Sequence, residues 1–283
     1  MAVKFIIDSA ADVIPSECEV LGVTHLPLKV LFGEQEYADS VTLSHAEFYE
    51  KLTTDPNHPT TSQVSPAEFE AAYERLTANG DELVVITLSS KLSGTYQSAV
   101  IACEDYEGKV FVVDSLNATV GERALLLHGL KLARQGLSAA QIAEKLDEDK
   151  KRIRLVATVD TLEYLKKGGR ISAATAVVGG LLNIKPAIAV VDGVVETVGK
   201  ARGTKAANTL LRQLMEKSGS IDPDMPLCMA YTGNSDENLK KFMADHGDLW
   251  AESGDNLNVS SVGCVIGAHV GPGAVAVAFF GKE

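Results

Sequence analysis

Three short runs of uninterrupted apolar residues, each ending in a polar cluster and two of them leading into a helix signal, constrain this chain more than any other feature. Val3–Ile7 ends in Asp8-Ser9, Leu83–Ile86 ends in Thr87 with Ser89-Ser90 just beyond, and Val110–Val113 ends in Asp114-Ser115. Strands that are apolar on both faces belong to parallel sheets covered by helices on both sides. Such sheets gather ligands at the carboxyl ends of their strands. The helices are expected where caps announce them. Ser44-His-Ala-Glu47 is a capping box opening a helix to Leu52, and Ser65-Pro66-Ala67-Glu68 opens another through about Ala78. Further helices are expected from Thr95, over Gly121–Gln135 and over Ser138–Lys151, with one more strand-like segment at His25–Phe32.

After residue 153 the texture changes. Leu155–Val159 reads as a strand, and the helix Thr161–Lys167 is broken by Gly168-Gly169. Asp192-Gly193 is a two-residue hairpin signal between strands Ile184–Val191 and Val194–Gly199. Helices are expected at Ala206–Lys217 and Ser235–His246, and strands at Met225–Thr232, Asn258–Cys264 and Ala274–Phe280. The fold class is therefore α/β in two domains: a parallel-sheet domain over 1–153, and a two-layer α+β domain over 154–283 in which hairpins mix with helices.

Composition narrows the function. With 26 Lys and Arg against 38 Asp and Glu the net charge is −12, which argues against nucleic acid as the main partner. Between Lys150 and Lys217 the balance reverses to 13 basic and 5 acidic residues, a net of +8, and that block is either a solvated face or a docking surface. The apolar run at the start is too short for a signal-peptide core, and no stretch approaches the roughly 20 apolar residues of a membrane span. A cytoplasmic chain is expected. Cys18, Cys103, Cys228 and Cys264 form no CxxC pair and read as buried free thiols, and the six histidines have no metal-binding spacing.

Five segments carry candidate chemistry. Thr60-Thr61-Ser62-Gln63, before the Ser65 cap, reads as a loop whose hydroxyls either turn the chain or donate to an anion. Thr87–Ser98 leads a buried strand through a Ser/Gly-rich loop into a helix. There Ser93 either caps the helix or, beside Gly94 and Thr95, seats a carboxylate or phosphate. Neither a P-loop nor a GxSxG elbow is present. His269 is expected in a glycine-studded turn between two late strands. Lys166, Lys167 and Arg170 surround the double glycine, and Lys200–Lys205, with Arg202, reads as a second basic loop.

Taken together, DSAAD, TTSQVSPAEF, ITLSSKLSGTYQSA, VVDS, TLEYLKKGGRIS, IKPAIAV, ARGTKA and IGAHVGPGAVAVAF make the chain resemble the DegV family over nearly its whole length. Ala118-Thr119-Val120-Gly121 departs from the family's habit of a serine before the glycine-rich helix start, a change expected to touch packing or one pocket wall. The resemblance implies an α/β/α N-terminal domain, a mixed-sheet C-terminal domain and a fatty-acid tunnel between them. It also implies that Thr61, Ser62, Ser93, Gly94 and His269 surround the carboxylate of one long-chain fatty acid. The chain would be a non-enzymatic, monomeric carrier that needs no cofactor beyond that ligand and makes at most transient membrane contact. It would present the acid to a separate ATP-dependent kinase that forms the acyl-phosphate for phospholipid metabolism. Arg170 and Arg202, with Lys166, Lys167 and Lys205, would form the kinase-docking face. At about 0.8 kcal/mol per methylene, roughly 14 methylenes supply about 11 kcal/mol gross, part of which ordering and association return. The rival is an acyl hydrolase or transferase with Ser93 as nucleophile, His269 as base and Asp8 or Asp114 as orienting acid. A phosphate-handling protein and a ligand-free scaffold are the remaining alternatives.

Overall fold

The computed structural model describes residues 2–172 and 183–282. In chain order the first half runs β1 (Val3–Asp8), α1 (Pro15–Leu21), β2 (Val23–Leu26), β3 (Lys29–Phe32), β4 (Gln35–Ala38), α2 (His45–Thr54), β5 (Thr60–Ser62), α3 (Pro66–Thr77), β6 (Glu82–Thr87), α4 (Thr95–Ala102), β7 (Val110–Asp114), α5 (Thr119–Arg134) and α6 (Ala139–Asp149). The second half runs β8 (Ile153–Thr158), α7 (Glu163–Lys167), β9 (Ile184–Val191), β10 (Val194–Arg202), α8 (Gly203–Ser218), β11 (Leu227–Tyr231), α9 (Glu237–Asp245), β12 (Leu257–Ser261), α10 (Cys264–Val270) and β13 (Val275–Phe280).

The apolar runs form the sheet their composition demands. β2, β1, β6 and β7 lie parallel in that order, and Ile7 sits opposite Ile86 while Thr87 sits opposite Asp114. The polar ends of three strands thus converge at one edge, where the ligand rule for parallel sheets places a site. Ser44 and Ser65 each accept the backbone N–H three residues on, and Glu47 and Glu68 return the bond as the capping boxes require.

The second sheet is mixed, in the order β10-β9-β8-β13-β11-β12. Its faces divide by size. On β13, Val275, Val277 and Phe279 pack with Leu211, Met215 and Phe242 of α8 and α9. Ala276, Ala278 and Phe280 instead join a core that includes Leu125 and Leu126 of α5. That core draws on both halves of the chain, from Phe5 and Ile86 to Ile188 and Ala230. Asp192 and Gly193 turn the β9–β10 hairpin with φ of 48° and 84°, the two left-handed residues that such a turn requires.

Four expectations change. The segment 25–32 is not one strand: Pro27, which has no N–H to give a ladder, separates β2 in the parallel sheet from β3 in a small antiparallel sheet ordered β4-β3-β5. Thr60–Ser62 is the third strand of that small sheet rather than a loop, with Thr61 opposite Val30. The strand expected over Asn258–Cys264 stops at Ser261, and Cys264–Val270 is helical, so His269 stands in the last turn of a helix. The basic loop at 200–205 is absent, because β10 runs to Arg202 and α8 begins at Gly203. The apolar stretch 173–182, whose composition would suit a tunnel wall, lies outside the described residues. Among the described residues no helix is long and apolar enough to cross a membrane. All four cysteines are free; Cys18, Cys228 and Cys264 are buried and Cys103 is half-buried.

Candidate functional site

A cavity of about 340 Å³ lies between the two halves, within the roughly 300–1,000 Å³ of ordinary small-molecule sites. Its apolar part is the small-residue face of the mixed sheet. Ala157, Ala276 and Ala230 stand side by side on β8, β13 and β11, and a row of methyl groups leaves room above the sheet that larger side chains would fill. Leu155, Ile188 and Val190 continue the wall, and Leu28, Leu88 and Leu92 face them from the first half.

The polar part is built from four separate segments. β5 brings Thr61 and Ser62, the loop after β6 brings Ser93 and Gly94, α10 brings His269, and the chain after α7 brings Arg170. His269 Nε2 is 2.9 Å from Thr61 Oγ1. Removal from water, helped by the charges of Arg170 and His58, pushes the His269 ring down to about 4, so the imidazole is neutral near pH 7. Its Nδ1 is buried without a hydrogen-bond partner among the described residues, facing Gly168 so closely that a Cβ there would collide with the ring. Ser93 Oγ is 3.0 Å from Thr95 Oγ1 and accepts the Thr95 N–H at 3.2 Å. Gly94 is required by contact, since a side chain would run into the Gln63 carboxamide, which donates to Ser98 Oγ at 2.8 Å.

Thr61, Ser62, Ser93, Gly94 and His269, the residues that the family resemblance implied, all line this one cavity. The basic residues divide. Arg170 also lines it and is half-buried. Its guanidinium donates to Leu92 O at 3.1 and 2.9 Å and to Gly168 O at 2.7 Å, bolting the loop after β6 to the double-glycine turn. Lys166, Lys167, Arg202 and Lys205 are exposed and do not line it. Lys167 is paired with Glu163 at 2.7 Å. Lys166, Arg202 and Lys205 make no ion pair among the described residues. Arg202 extends β10 three residues past the Gly199–Ala187 pair, beyond the end of β8 from which α7 departs. Elsewhere some of the basic block is engaged in ion pairs within the chain, as in Lys185–Asp160 and the bidentate Arg212–Asp248 pair.

The triad of the hydrolase reading is not assembled. Ser93 Oγ is engaged with Thr95, and His269 Nε2 faces Thr61. Asp8 accepts the Ala10 and Leu88 amides at 2.9 and 2.8 Å, while Asp114 accepts those of Ser90 and Leu116 at 3.1 and 3.0 Å. Ala118 and Thr119, at the point of departure from the family pattern, do form part of the cavity wall. Gln63 escaped attention as a site residue although it follows the hydroxyl run. Asp12 and Asp39, which reach the first turn of α10, escaped it too. Asp12 had a signal as the last residue of DSAAD, just beyond the first strand, whereas nothing around Asp39 marks it.

A family model described as an uncharacterised protein of the DegV family matches residues 2–282. A DegV domain-containing protein from Deinococcus radiodurans is 37% identical over 279 residues, 98% of each chain. Among solved structures, a DegV family protein from Thermus thermophilus described as binding fatty acid superposes with a TM-score of 0.90 at 30% identity, covering all of both chains. A stearic-acid-binding protein from Eubacterium ventriosum gives 0.85 at 28% identity, covering all of this chain and 99% of that one.

Proposed function

The chain belongs to the DegV family, and from that premise we propose that it holds a single long-chain fatty acid in the cavity between its halves. The observation that carries this reading is the cavity's polarity: an apolar, alanine-floored channel ends in hydroxyls and one neutral histidine. The tail lies on the sheet, and the carboxylate meets Thr61, Ser62, Ser93, the Gly94 backbone and His269. A neutral imidazole that donates from Nε2 to Thr61 Oγ1 leaves the Thr61 hydroxyl proton free to donate to the carboxylate. The pair then acts as one relayed donor without placing a full positive charge on the ligand.

That donor set suits a carrier. A carboxylate locked in a bidentate guanidinium pair is held more strongly and is a weaker nucleophile than one held by neutral hydroxyls. Arg170 is near but already donates to two backbone carbonyls, so it adds field rather than a fork. The head group is therefore presented to a separate ATP-dependent kinase, which forms the acyl-phosphate, and the chain itself contributes binding and orientation. Lys166, Arg202 and Lys205 supply the exposed cations of the docking face, with Lys167 beside them. Arg170 acts from the cavity wall, a different place from the surface role first assigned to it. The geometry disfavours the hydrolase reading, since a nucleophile and base within hydrogen-bond reach are its signature.

The test is mass spectrometry of an organic extract from natively purified protein. One fatty acid per chain is expected. Protein free of lipid that also fails to take up added oleate or palmitate overturns the reading.

A further inference from the structure

We propose that Asp39, which does not line the cavity, is a positioning residue for His269, acting through the first turn of α10. The inference rests on the fatty-acid reading above. Asp39 follows β4 and is fully buried at the junction of the two halves. Its Oδ1 accepts the Cys264 N–H at 2.9 Å and the Ser40 hydroxyl at 3.1 Å. Its Oδ2 accepts the Ser9 hydroxyl at 3.0 Å and the Val265 N–H at 3.3 Å. Asp12 Oδ1 accepts the preceding amide, Gly263 N–H, at 2.7 Å. Three consecutive amides at the start of a helix from the second half are thus received by two carboxyl groups from the first half.

The chemistry of the helix end explains why acids do this. The first amides of a helix have no partner within it, and negative charge is favoured there. The fit is close as well as complementary. A Cβ on Gly263 would lie 3.1 Å from Asp12 Oδ1, Asp39 Oδ1 and His45 Nε2 alike. His45 in turn bridges Ser40 Oγ at 2.8 Å and Ser261 Oγ at 2.7 Å, tying the Asp39 turn to the strand that leads into α10. At about 1.5 Å of rise per residue, the four residues from Val265 to His269 span roughly 6 Å and little more than one turn. The acid at one end of α10 therefore fixes the axial position and rotation of the imidazole at the other. Thr61, to which His269 Nε2 is paired, belongs to the first half, so the same anchor sets both partners of the relay.

Asp39 receives four donors with two oxygens, and an asparagine would bring two further donors into that space. Asp39→Asn is therefore nearly isosteric yet chemically wrong. The experiment measures equilibrium binding of palmitate and of hexadecanol, which share a tail and differ at the head, to wild type, Asp39→Asn, His269→Ala and the double variant. Asp39→Asn is expected to weaken palmitate about tenfold, roughly one hydrogen bond to a charged group. It should leave hexadecanol within about twofold, and the same substitution in the His269→Ala background should cost palmitate nothing further. Long-range proton–nitrogen NMR of the His269 ring should report an altered tautomer balance in Asp39→Asn. Ser40→Gly, which removes one donor at a left-handed position that glycine accepts (φ 60°), should show a smaller loss of the same selectivity and carries the test if Asp39→Asn does not fold. Equal losses for acid and alcohol, or an undiminished loss in the His269→Ala background, would reduce Asp39 to a structural role and overturn the proposal. Wild-type protein that binds neither compound would instead remove the fatty-acid reading, and this inference with it.

Discussion

At the scale of single residues, the proposed head-group site is built from groups held by close contact. Thr61→Ala and Ser93→Ala should each weaken carboxylate binding by about 0.5–3 kcal/mol without unfolding the chain, the range for one lost hydrogen bond to a charged or buried group. Titration with a fluorescent fatty acid reads this directly, and unchanged affinity in both variants would remove the hydroxyls from the site. Gly168→Ala makes a complementary prediction, because its new methyl would collide with the His269 ring. Overpacking of this kind costs about 1–3 kcal/mol, and here the ring, rather than the fold, is the group able to move. Affinity for the acid should fall while the thermal midpoint changes little. That Thr61, Ser93 and His269 line one cavity was implied by the family resemblance, since their local sequence suggested a loop and a turn where the chain forms a strand and a helix. Asp39 had no such pointer, since an acid in Tyr-Ala-Asp-Ser looks like any turn residue until the fold brings a helix end to it.

At the scale of elements, legibility followed the strength of the local signal. The capping boxes at Ser44 and Ser65 and the Asp192-Gly193 turn were read correctly because each is a mechanism contained in four residues. Cys264–Val270 was read as a turn because Gly263, Gly267, Gly271 and Gly273 punctuate it, yet it is helical. What decides it is Asp12 and Asp39, which are more than 220 residues away in sequence. The floor of the cavity belongs to this scale as well. Val-Ala alternation on β13 sends alanines to one face, and a larger residue there should shorten the space for a tail. Ala276→Leu is expected to shift the bound acids toward shorter chains, by an amount that mass spectrometry of extracts from the two proteins compares. An unchanged chain-length distribution would place the tail elsewhere.

At the scale of the whole molecule, buried ionisable groups set a pH dependence whose sign can be worked out. Burial raises Asp8 from 3.8 to about 7 and Asp12 from 3.8 to about 8, and it carries Glu122 well above the usual carboxyl range. Folded protein therefore holds protons that the unfolded chain has released, and stability falls as pH rises through this interval. His269 works the other way. Its fall from 6.5 to about 4 costs stability only as pH drops below 6.5. Between pH 6.5 and 8 the carboxyl effect is left to act, and the thermal midpoint should decline by a few degrees. Asp12→Asn, whose amide oxygen can still accept from Gly263, should flatten that decline, and a midpoint that rises over this range would contradict the account. Charge on the surface obeys a different rule. If the proposed docking face serves a kinase, reversing Lys166, Arg202 and Lys205 together should leave fatty-acid uptake intact and slow phosphorylation by that kinase most at low salt, where steering is strongest.

The shared core has a consequence for how the chain could be divided. The sheets part at residue 153, yet α5 from the first half covers the second sheet and α10 from the second half is anchored in the first. A break in the backbone near Lys150 would therefore leave each fragment with an uncovered apolar face that only the other fragment matches. Co-expressed fragments should find one another and refold together, whereas either alone should be insoluble. Because the cavity takes walls from both, ligand uptake would appear only in the reassembled pair, and a cut chain would signal its own complementation.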